Sequence, residues 1–526
     1  MQKNSISVLI VGGGLVGLSA AAFLADRGVR TVLVERHAGS SPLPRAMGFT
    51  TRTMELYRAI GLGPVIPQTP PGHGRPRRLK VESLAGKWAA EEESWTPPQA
   101  GGPADEVEFS ICTAASIAQD RLEPILRARA IELGADIRLS TTLLSFEQDE
   151  GGVTAMLRHR NGEEKALGAD YMIAADGSSS PVREALGIDR DGRGVLRTVR
   201  SVLFRAPLDA YLESGISQFD IQQPGFEGML TSYRDASLRD SRWLLMFVDN
   251  EDRDEAGLRA MVERAVGRSD VDIEIIATGL WDLSALIADR FRVGRVFLAG
   301  DAAHTLPPAR GGYGANTGIE DAHNLAWKLA AVLSGQSAPA LLDTYDAERR
   351  PIAWLRHDQI FARPDYQRFA SPADKTTPII DDDAMELGQL YRSAAVIGVG
   401  EDLPPALRPD LWAGQPGTRA PHMWVTADGT RTSTLDLVQP GWALLTQDPG
   451  WRDAAQAAAN EVKIEVKCVV VQDPDTPAFL DAFGIGPTGA SLIRPDGYVA
   501  WRSTAAPANP ASNLAEALRR VSAAPG

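Results

Sequence analysis

Two cysteines in 526 residues, Cys112 and Cys468, leave no basis for a disulfide framework, a C-x-x-C redox pair or a zinc knuckle. Thiols this sparse suit a reducing cytosol. A surplus of positive charge is missing too. The chain has 54 Lys and Arg against 68 Asp and Glu, a formal net charge of −14. Nothing supplies the cationic footprint with which a protein holds a phosphate backbone. Internal repeats and low-complexity tracts are absent. With 44% hydrophobic and 23% charged residues, the make-up is that of a folded globular protein, not of a disordered chain, a collagen or a coiled coil. There is no G-x-S-x-G, no H-E-x-x-H and no P-loop, which sets aside hydrolases with a nucleophile elbow, zincins and P-loop NTPases. Long charge-free runs are scarce. One, Ile6 to Ala25, is long enough to span a bilayer, and Ala20-Ala21-Ala22 imitates a signal-peptidase site. Three consecutive glycines in its middle point elsewhere.

The hydrophobic period changes at those glycines. Ser7 to Val11 is a β-branched run suited to a strand buried on both faces. Gly12-Gly13-Gly14 predicts a turn. Leu15, Leu18, Ala22 and Ala25 then recur at helical spacing until Gly28, and Thr31 to Val34 reads as a second strand. This order is that of a βαβ unit. Loops or hairpins are expected over the Pro- and Gly-rich residues 64–106 and a helix over Ile117–Leu133. Strands are expected around 137–146, 152–159 and 170–174. Short alternating runs at Ser201–Arg205, Trp243–Val248 and Ile273–Thr278 predict an antiparallel sheet. Val296 to Ala299 again looks like a buried strand and Asp321 to Leu333 a helix, so the style of the first segment returns after an insertion. Five prolines between Pro404 and Pro421 suggest a linker. Beyond it, strands are expected at Trp442–Leu445, Ile464–Val471 and Ala490–Arg494, with helices around 453–461 and 511–522. At about 150 residues per domain the length accommodates three or four domains.

Gly12-Gly13-Gly14-Leu15-Val16-Gly17 fits G-x-G-x-x-G. Gly12 permits the tight turn, Gly14 lets a pyrophosphate approach the backbone, and Gly17 lets the helix pack closely on the strand. The helix N-terminus offers free N–H groups and the positive end of its dipole. Glu35 ends the second strand, where an acid accepts hydrogen bonds from a ribose diol. The segment therefore predicts dinucleotide binding rather than a membrane span, without separating NAD from FAD.

Two later motifs make that separation by resemblance. Tyr171-Met172-Ile173-Ala174-Ala175-Asp176-Gly177 continues to Ser180 and Arg183. Val296-Phe297-Leu298-Ala299-Gly300-Asp301 continues through His304, Pro307, Gly311-Gly312 and Asn316 to Asp321-Ala322-His323-Asn324-Leu325-Ala326-Trp327-Lys328-Leu329. With the glycine fingerprint, this trio resembles the class A flavoprotein monooxygenases, the group of the para-hydroxybenzoate hydroxylase fold. The resemblance implies FAD, with Asp301 at its ribityl chain. It implies that Gly314, Ala315 and Asn316 present backbone groups to the flavin pyrimidine ring. Asp176, Gly177 and Arg183 would form a second fingerprint, associated with FAD and the reduced nicotinamide cofactor. Pro44-Arg45-Ala46 resembles the loop from which an Arg reaches the cofactor, and Gln119 stands where the family has a Gln on FAD. Arg36 and Leu143 are candidate adenosine neighbours. As residues alone, Asp301 also suits an N-cap, Asp176-Gly177 a tight bend, and Gln119 a solvent-facing helix start.

The flavin loop departs from the commonest family pattern, P-P-T-G-G-Q-G-M-N. Here Pro307-Pro308-Ala309-Arg310-Gly311-Gly312-Tyr313-Gly314-Ala315-Asn316 is one residue longer. His304, His323 and Arg310 invite catalytic roles. His304, however, lies in a motif that is mainly structural in relatives, and His323 lies on a helix. No catalytic side chain and no metal ligand is assigned. The W-x-W-x-I-P of flavin halogenases is missing.

The last 120 or so residues sharpen the resemblance. Gly417-Thr418-Arg419-Ala420-Pro421-His422 and the run from Gly489 to Arg502 are similar to the tail of aromatic polyketide hydroxylases such as the aklavinone and angucycline hydroxylases. In that group the tail is a thioredoxin-like domain without redox cysteines, a structural part, and Tyr391-Arg392-Ser393 resembles a segment near the substrate entrance. The expected architecture is α/β. A Rossmann-like FAD-binding domain (1–185, with 75–110 as loops or a hairpin near the substrate domain, and 281–400) carries an inserted antiparallel-sheet substrate domain (186–280). A thioredoxin-like C-terminal domain (401–526) follows.

The activity that the resemblance implies is hydroxylation of a polycyclic, polyketide-type phenol with NADPH or NADH and O₂, through a flavin C4a-hydroperoxide. Baeyer–Villiger insertion, hydroxylation of a simple phenol, and a flavin-containing protein that sequesters an antibiotic are the alternatives. Neither nucleic acid nor membrane is an expected partner. A homodimer is allowed, and the expected location is the cytoplasm.

Overall fold

The computed structural model describes residues 6–43, 45–70, 78–88, 107–212, 216–233, 242–309, 312–427, 429–472 and 476–525. The charge-free stretch at the start divides at its glycines. Ile6–Val11 is a strand whose Val8, Leu9 and Ile10 are fully buried, and Leu15–Asp26 is a helix of twelve residues, too short to span a bilayer. No helix among the described residues is long and apolar enough to cross a membrane.

Three parallel strands flank the first. Thr31–Val34 pairs with it in the register Val8↔Thr31, Glu164–Ala174 pairs on the other side as Val11↔Ala174, and Val296–Leu298 continues outward as Phe297↔Ile173. Side chains buried on both faces explain why these strands read as continuous apolar runs. Asp136–Arg138 extends the sheet beyond Thr31–Val34. The antiparallel strands Thr141–Asp149 and Gly152–His159 fold back onto Glu164–Ala174, and Arg292–Val293 pairs antiparallel with Val296–Leu298 at the far edge, giving eight strands in all.

The insertion builds a second sheet of seven strands, in the order 304–305, 274–288, 190–205, 242–248, 226–233, 218–223, 78–81. Its pairings are antiparallel except at one edge, where Arg78–Val81 lies parallel to Gln218–Gln223. That edge strand comes from the Pro- and Gly-rich region, in which Val81 also bridges Trp88 antiparallel. The expectation of antiparallel strands alone is corrected here. A parallel neighbour needs a long crossover, and the chain supplies one between residues 81 and 218. One face carries Val202, Phe204, Trp243, Leu245 and Phe247, packed against the helix Glu255–Val266. The strand Glu274–Ala288 crosses residue 280 without a break, so the sheet continues past the end expected for it.

In the C-terminal part Trp442–Thr446 pairs parallel with Val466–Val470 and antiparallel with Ala490–Ile493, which pairs in turn with Val499–Ser503. A βαβ unit followed by a hairpin and a closing helix, Pro510–Val521, is the thioredoxin arrangement. The helices Trp451–Val462 and Pro510–Val521 cover one side of this sheet, and Phe479 and Phe483 cover the other. Cys468 has no partner thiol, and burial pushes it up to about 11, so it stays protonated.

The proline-rich stretch before this domain is not a free linker. Leu390 N–H donates to Pro405 O (2.9 Å), Gly417 N–H donates to Val499 O (2.8 Å), and Arg419 is buried against Glu55 at 2.5 and 2.9 Å. Prolines restrict the backbone equally in a flexible linker and in a packed strap. The partners decide between the two, and they lie far off in sequence.

Candidate active site

The three fingerprint glycines do different things. Gly12 has φ +108°, and a Cβ there would lie 2.2 Å from the carbonyl oxygen of Ala175. A Cβ on Gly17 would lie 1.9 Å from the Gly12 oxygen. Gly14 is open: among the described residues only Glu123 Oε1 lies within 4 Å of its Cβ position, at 3.8 Å. Gly14 also caps the helix Leu15–Asp26, with no side chain satisfying the first-turn N–H groups and no acid in that turn. Those donors face an open backbone, the geometry of an anion site.

Glu35 reaches back to this turn. Its Oε2 accepts from Gly13 N–H and its Oε1 from His37 N–H, both at 2.7 Å. Arg36 is exposed and donates to His37 Nε2 (3.1 Å). Leu143 is half-buried opposite Leu157, two residues beyond Thr141, whose N–H donates to Glu35 O (2.8 Å). Gln119 starts the helix Gln119–Glu132. Its Oε1 accepts from Arg45 N–H (3.1 Å) and its Nε2 donates to Glu123 Oε1 (2.7 Å). The Arg45 side chain is exposed, and its charge is felt by Asp301. Pro44, Arg310 and Gly311 lie outside the described residues.

Asp301 sits in the 3₁₀ turn Gly300–Ala302 that follows Val296–Leu298, at the carboxyl ends of the parallel strands, where open α/β sheets place ligands. Burial raises its pKa, against the pull of His304 and Arg45. Its neighbour Gly300 has φ +60°, and a Cβ there would press on Val16 Cγ2 at 2.7 Å. Gly318 makes the same close approach, 2.5 Å from Val16 Cγ2 and 2.8 Å from Gly300 Cα. This packing brings the long helix Tyr313–Leu333 down onto the fingerprint helix. It also explains why the long helix begins at Tyr313 and not at Asp321: small residues that look like a loop are those that permit the approach.

Gly314 and Ala315 lie in the first turn of that helix, which Gly312 caps without a side chain. Asn316 is fully buried, and its amide is already engaged. Its Oδ1 accepts from Thr50 N–H (3.1 Å) and Thr53 Oγ1 (2.6 Å), and its Nδ2 donates to Gly312 O (2.8 Å) and Gly48 O (3.3 Å). Its backbone N–H in turn points to Gly312 O at 3.5 Å.

The second fingerprint braces the first. Asp176 accepts from Ser180 Oγ (2.6 Å) and Val182 N–H (3.1 Å), capping the short helix Pro181–Ala185. Gly177 takes φ +87° in the same turn. Arg183 is buried and donates to Ser178 O and Ala302 O at 3.1 Å and to Ser179 O at 3.2 Å, bolting this turn to the segment that bears Asp301.

His304 and His323 are both buried. His304 Nε2 bonds Asp321 Oδ2 (2.6 Å), and Asp321 Oδ1 accepts from Arg349 Nε (2.8 Å). The charges of His304 and Arg349 overcome burial and hold Asp321 down at about 2. Burial first, then the charges of Arg52 and Arg27, pushes His323 well below its usual range. Arg349 Nη1 donates to the Tyr391 hydroxyl (2.7 Å), and the Tyr391 ring stacks on Tyr498 with centroids 4.1 Å apart. Tyr391 therefore lies buried in the seam with the C-terminal domain.

The other face of the seven-stranded sheet looks toward this site. Leu203, Leu244 and Met246 pack with Leu43, Met47 and Ala118. Met246 also joins Val199, Trp281 and Leu283 against Leu306, Ala309 and Tyr313. Among its polar groups, Trp281 Nε1 donates to Ser201 Oγ (2.9 Å), and the buried Thr231 hydroxyl has no partner among the described residues. Among the described residues no cluster could hold a metal ion. Glu123 and Arg349 are buried residues beside these turns that sequence patterns did not single out, and Asp321 was quoted only as part of a motif, without a role. Only the i,i+4 spacing of Gln119 and Glu123 was a signal.

A family profile described as FAD binding domain matches residues 5–359, and one described as aromatic-ring hydroxylase, C-terminal, matches 413–525. The chain is 40% identical to 4-methyl-5-nitrocatechol 5-monooxygenase of a Burkholderia species, over 98% of this chain and 97% of that protein. It is 40% identical to a putative polyketide hydroxylase of Streptomyces halstedii, over 95% and 94%. The crystal structure of a ternary complex of aklavinone-11 hydroxylase with FAD and aklavinone superimposes with a TM-score of 0.88 at 37% identity, over 99% of this chain and 100% of that one.

Proposed function

The chain belongs to the FAD-binding family that carries the aromatic-ring hydroxylase C-terminal domain, and from that membership we propose that it hydroxylates a polycyclic, polyketide-type phenol, consuming NADPH or NADH and O₂. The observation that carries this is the broad apolar sheet face running from Leu203 and Leu244 through Met246 to Trp281 and Leu283. A flat aromatic system is held there by area, not by charge. The likeness to the aklavinone-11 hydroxylase complex over the full length of both chains supports the same class of substrate.

The residues fit FAD. Gly14 leaves the backbone bare at a helix N-terminus, Glu35 offers a carboxylate at the end of the second strand, and Asp301 and the first turn of the 313–333 helix lie across the site. In this assignment Gly12, Gly14 and Gly17 shape the pyrophosphate cradle and Glu35 takes the adenosine ribose, with Arg36 and Leu143 beside the adenine. Gln119 and Arg45 line the middle, Asp301 takes the ribityl hydroxyls, and the backbone of Gly314, Ala315 and Asn316 meets the pyrimidine edge. Asp176, Gly177 and Arg183 act through the turn they hold. Bound FAD supplies the redox and oxygen chemistry, and the chain's part is to position the ring and exclude water. No general acid or base is assigned. Cytoplasmic location and a homodimer belong to the same proposal.

A second substrate class has a specific basis, since one 40%-identical relative is a nitrocatechol monooxygenase. The test is NADPH oxidation by the FAD-loaded protein with anthraquinone-type phenols and with nitrocatechols, and mass spectrometry of the products. A phenol one oxygen heavier, formed over many turnovers from a polycyclic substrate, is expected. Stimulation by single-ring phenols alone moves the substrate to that class, rearrangement to a lactone identifies Baeyer–Villiger insertion, and binding without turnover refutes an enzyme.

A further inference from the structure

A carboxyl group stands where the fingerprint must receive an anion. Glu123 is 2% exposed, one turn into the helix Gln119–Glu132, with Oε1 at the open face of Gly14. Across the turn lies a second carboxylate, Glu35, bound to Gly13 N–H. A pyrophosphate at Gly14 would bring two more negative charges beside a buried carboxyl group. Like charges packed in low dielectric cannot all stay ionised, and the group that gives way is the one already most deprived of water.

That group is Glu123. Burial raises its pKa most, and Glu35 raises it further, against hydrogen bonds from Ser40 and Gln119 and the charge of Arg127. Arg127 is turned partly aside, since its Nη2 donates to Ser40 Oγ (3.1 Å). Glu35, in contrast, is half-exposed and accepts two backbone N–H bonds. Among the described residues Tyr57, bonded to Ser19 (2.8 Å), is a further ionisable group close enough to feel Glu123.

We propose that Glu123 takes up a proton from solvent when FAD binds and donates it in a hydrogen bond to a pyrophosphate oxygen. A repulsive neighbour thereby becomes a donor, and FAD affinity becomes dependent on pH. The proposal rests on FAD occupying the fingerprint. By linkage, affinity is highest where Glu123 is protonated in the free protein and falls as pH rises, with at most one proton per FAD assigned to this group.

The experiment is FAD titration of the apoprotein by flavin fluorescence from about pH 5.5 to about pH 9, with calorimetry in two buffers of different ionisation enthalpy to count protons. Wild type is expected to take up a proton at the alkaline end and to weaken by up to about tenfold per pH unit there. Glu123→Gln, a neutral donor of the same shape, should bind FAD with a pH slope smaller by up to one proton and more tightly than wild type at the alkaline end. Asp301→Asn and His37→Gln identify any proton those groups contribute. An unchanged slope in Glu123→Gln overturns the proposal. If that variant fails to fold, wild type that binds FAD without proton uptake overturns it equally. No FAD binding at any pH would instead refute the occupancy on which it rests.

Discussion

Gly14 and Gly17 are three residues apart in one fingerprint, and the structure separates their roles. A Cβ on Gly17 would lie 1.9 Å from the Gly12 carbonyl oxygen and 3.0 Å from its carbon. The obstacle is backbone, so no rotamer change relieves it, and the helix Leu15–Asp26 must move off its strand by more than 1 Å, as a rough figure, to restore contact. Overpacking of this kind costs roughly 1–3 kcal/mol and more where the neighbour cannot yield. Gly17→Ala should therefore destabilise the apoprotein by about 3 kcal/mol. Gly14 has φ −79° and ψ −172°, extended backbone open to any residue, and among the described residues its Cβ would meet only Glu123 Oε1 at 3.8 Å. Gly14→Ala should leave apoprotein stability within about 1 kcal/mol while weakening FAD by roughly tenfold or more, since the methyl group occupies the approach to the helix N-terminus. Urea denaturation of both apoproteins and FAD titration of both variants check this. Gly17→Ala as stable as wild type, or Gly14→Ala with unchanged FAD affinity, would refute the assignment of packing to one glycine and ligand approach to the other.

Asp301→Ala should purify with less FAD, because a carboxylate across the site is lost while the turn Gly300–Ala302 needs no side chain there. The ratio of flavin to protein absorbance reads this, and full occupancy would count against the role of Asp301 at the ribityl chain. Asp321 predicts an acid effect with a definite sign. Its folded pKa, held down at about 2, lies below the ordinary aspartate value, so its contribution is complete above about pH 4 and is lost as pH falls toward 2. That contribution is about 2 kcal/mol. Asp321→Asn should be destabilised near neutrality, and its deficit against wild type should shrink between about pH 4 and pH 2 in denaturation curves; a constant deficit would refute the linkage. Arg494 bonds Glu348 at 2.6 and 3.0 Å in a buried network with Lys328 and Asp496. Arg494→Met leaves the two buried carboxylates of Glu348 and Asp496 with Lys328 as the cation bonded to Glu348 and should cost about 3 kcal/mol, seen as a lower urea midpoint, whereas a loss under about 0.5 kcal/mol would show that the network contributes little.

What the sequence disclosed of the fold was what repeats at short range. The βαβ unit showed itself through a period that changes at Gly12, and the thioredoxin-like part through strands of four or five apolar residues. Elements that depend on a distant neighbour were missed or misread. Arg78–Val81 is a strand because Gln218–Gln223 lies beside it, and its own four residues alternate too briefly to announce it. The Pro404–Pro421 strap carries the composition of a linker, and only Glu55, Val499 and Leu390 turn it into packed structure.

The site divides along the same line. Gly12, Gly14, Gly17 and Glu35 were legible because their chemistry is local: a turn, a bare backbone, an acid at the end of a strand. That Gly17 serves packing and Gly14 stays open was read from the fingerprint, but the residues that enforce it were not legible, since Ala175, which closes Gly12, lies 163 positions on and Glu123, which overlooks Gly14, lies 109 positions on. Asp321 makes the point more strongly. On the sequence it is one acid in a helix of mixed character. In the fold it is fully buried, and its position follows from His304 and Arg349, which arrive from a different turn and a different helix. A buried charge is stable only where its partner is delivered, so such residues are specified by topology before they can be specified by motif. Arg349 carries the consequence outward, because it also holds Tyr391, which stacks on Tyr498 of the C-terminal domain. The domain without redox thiols is thereby joined, through four buried side chains, to the turn that presents Asp301.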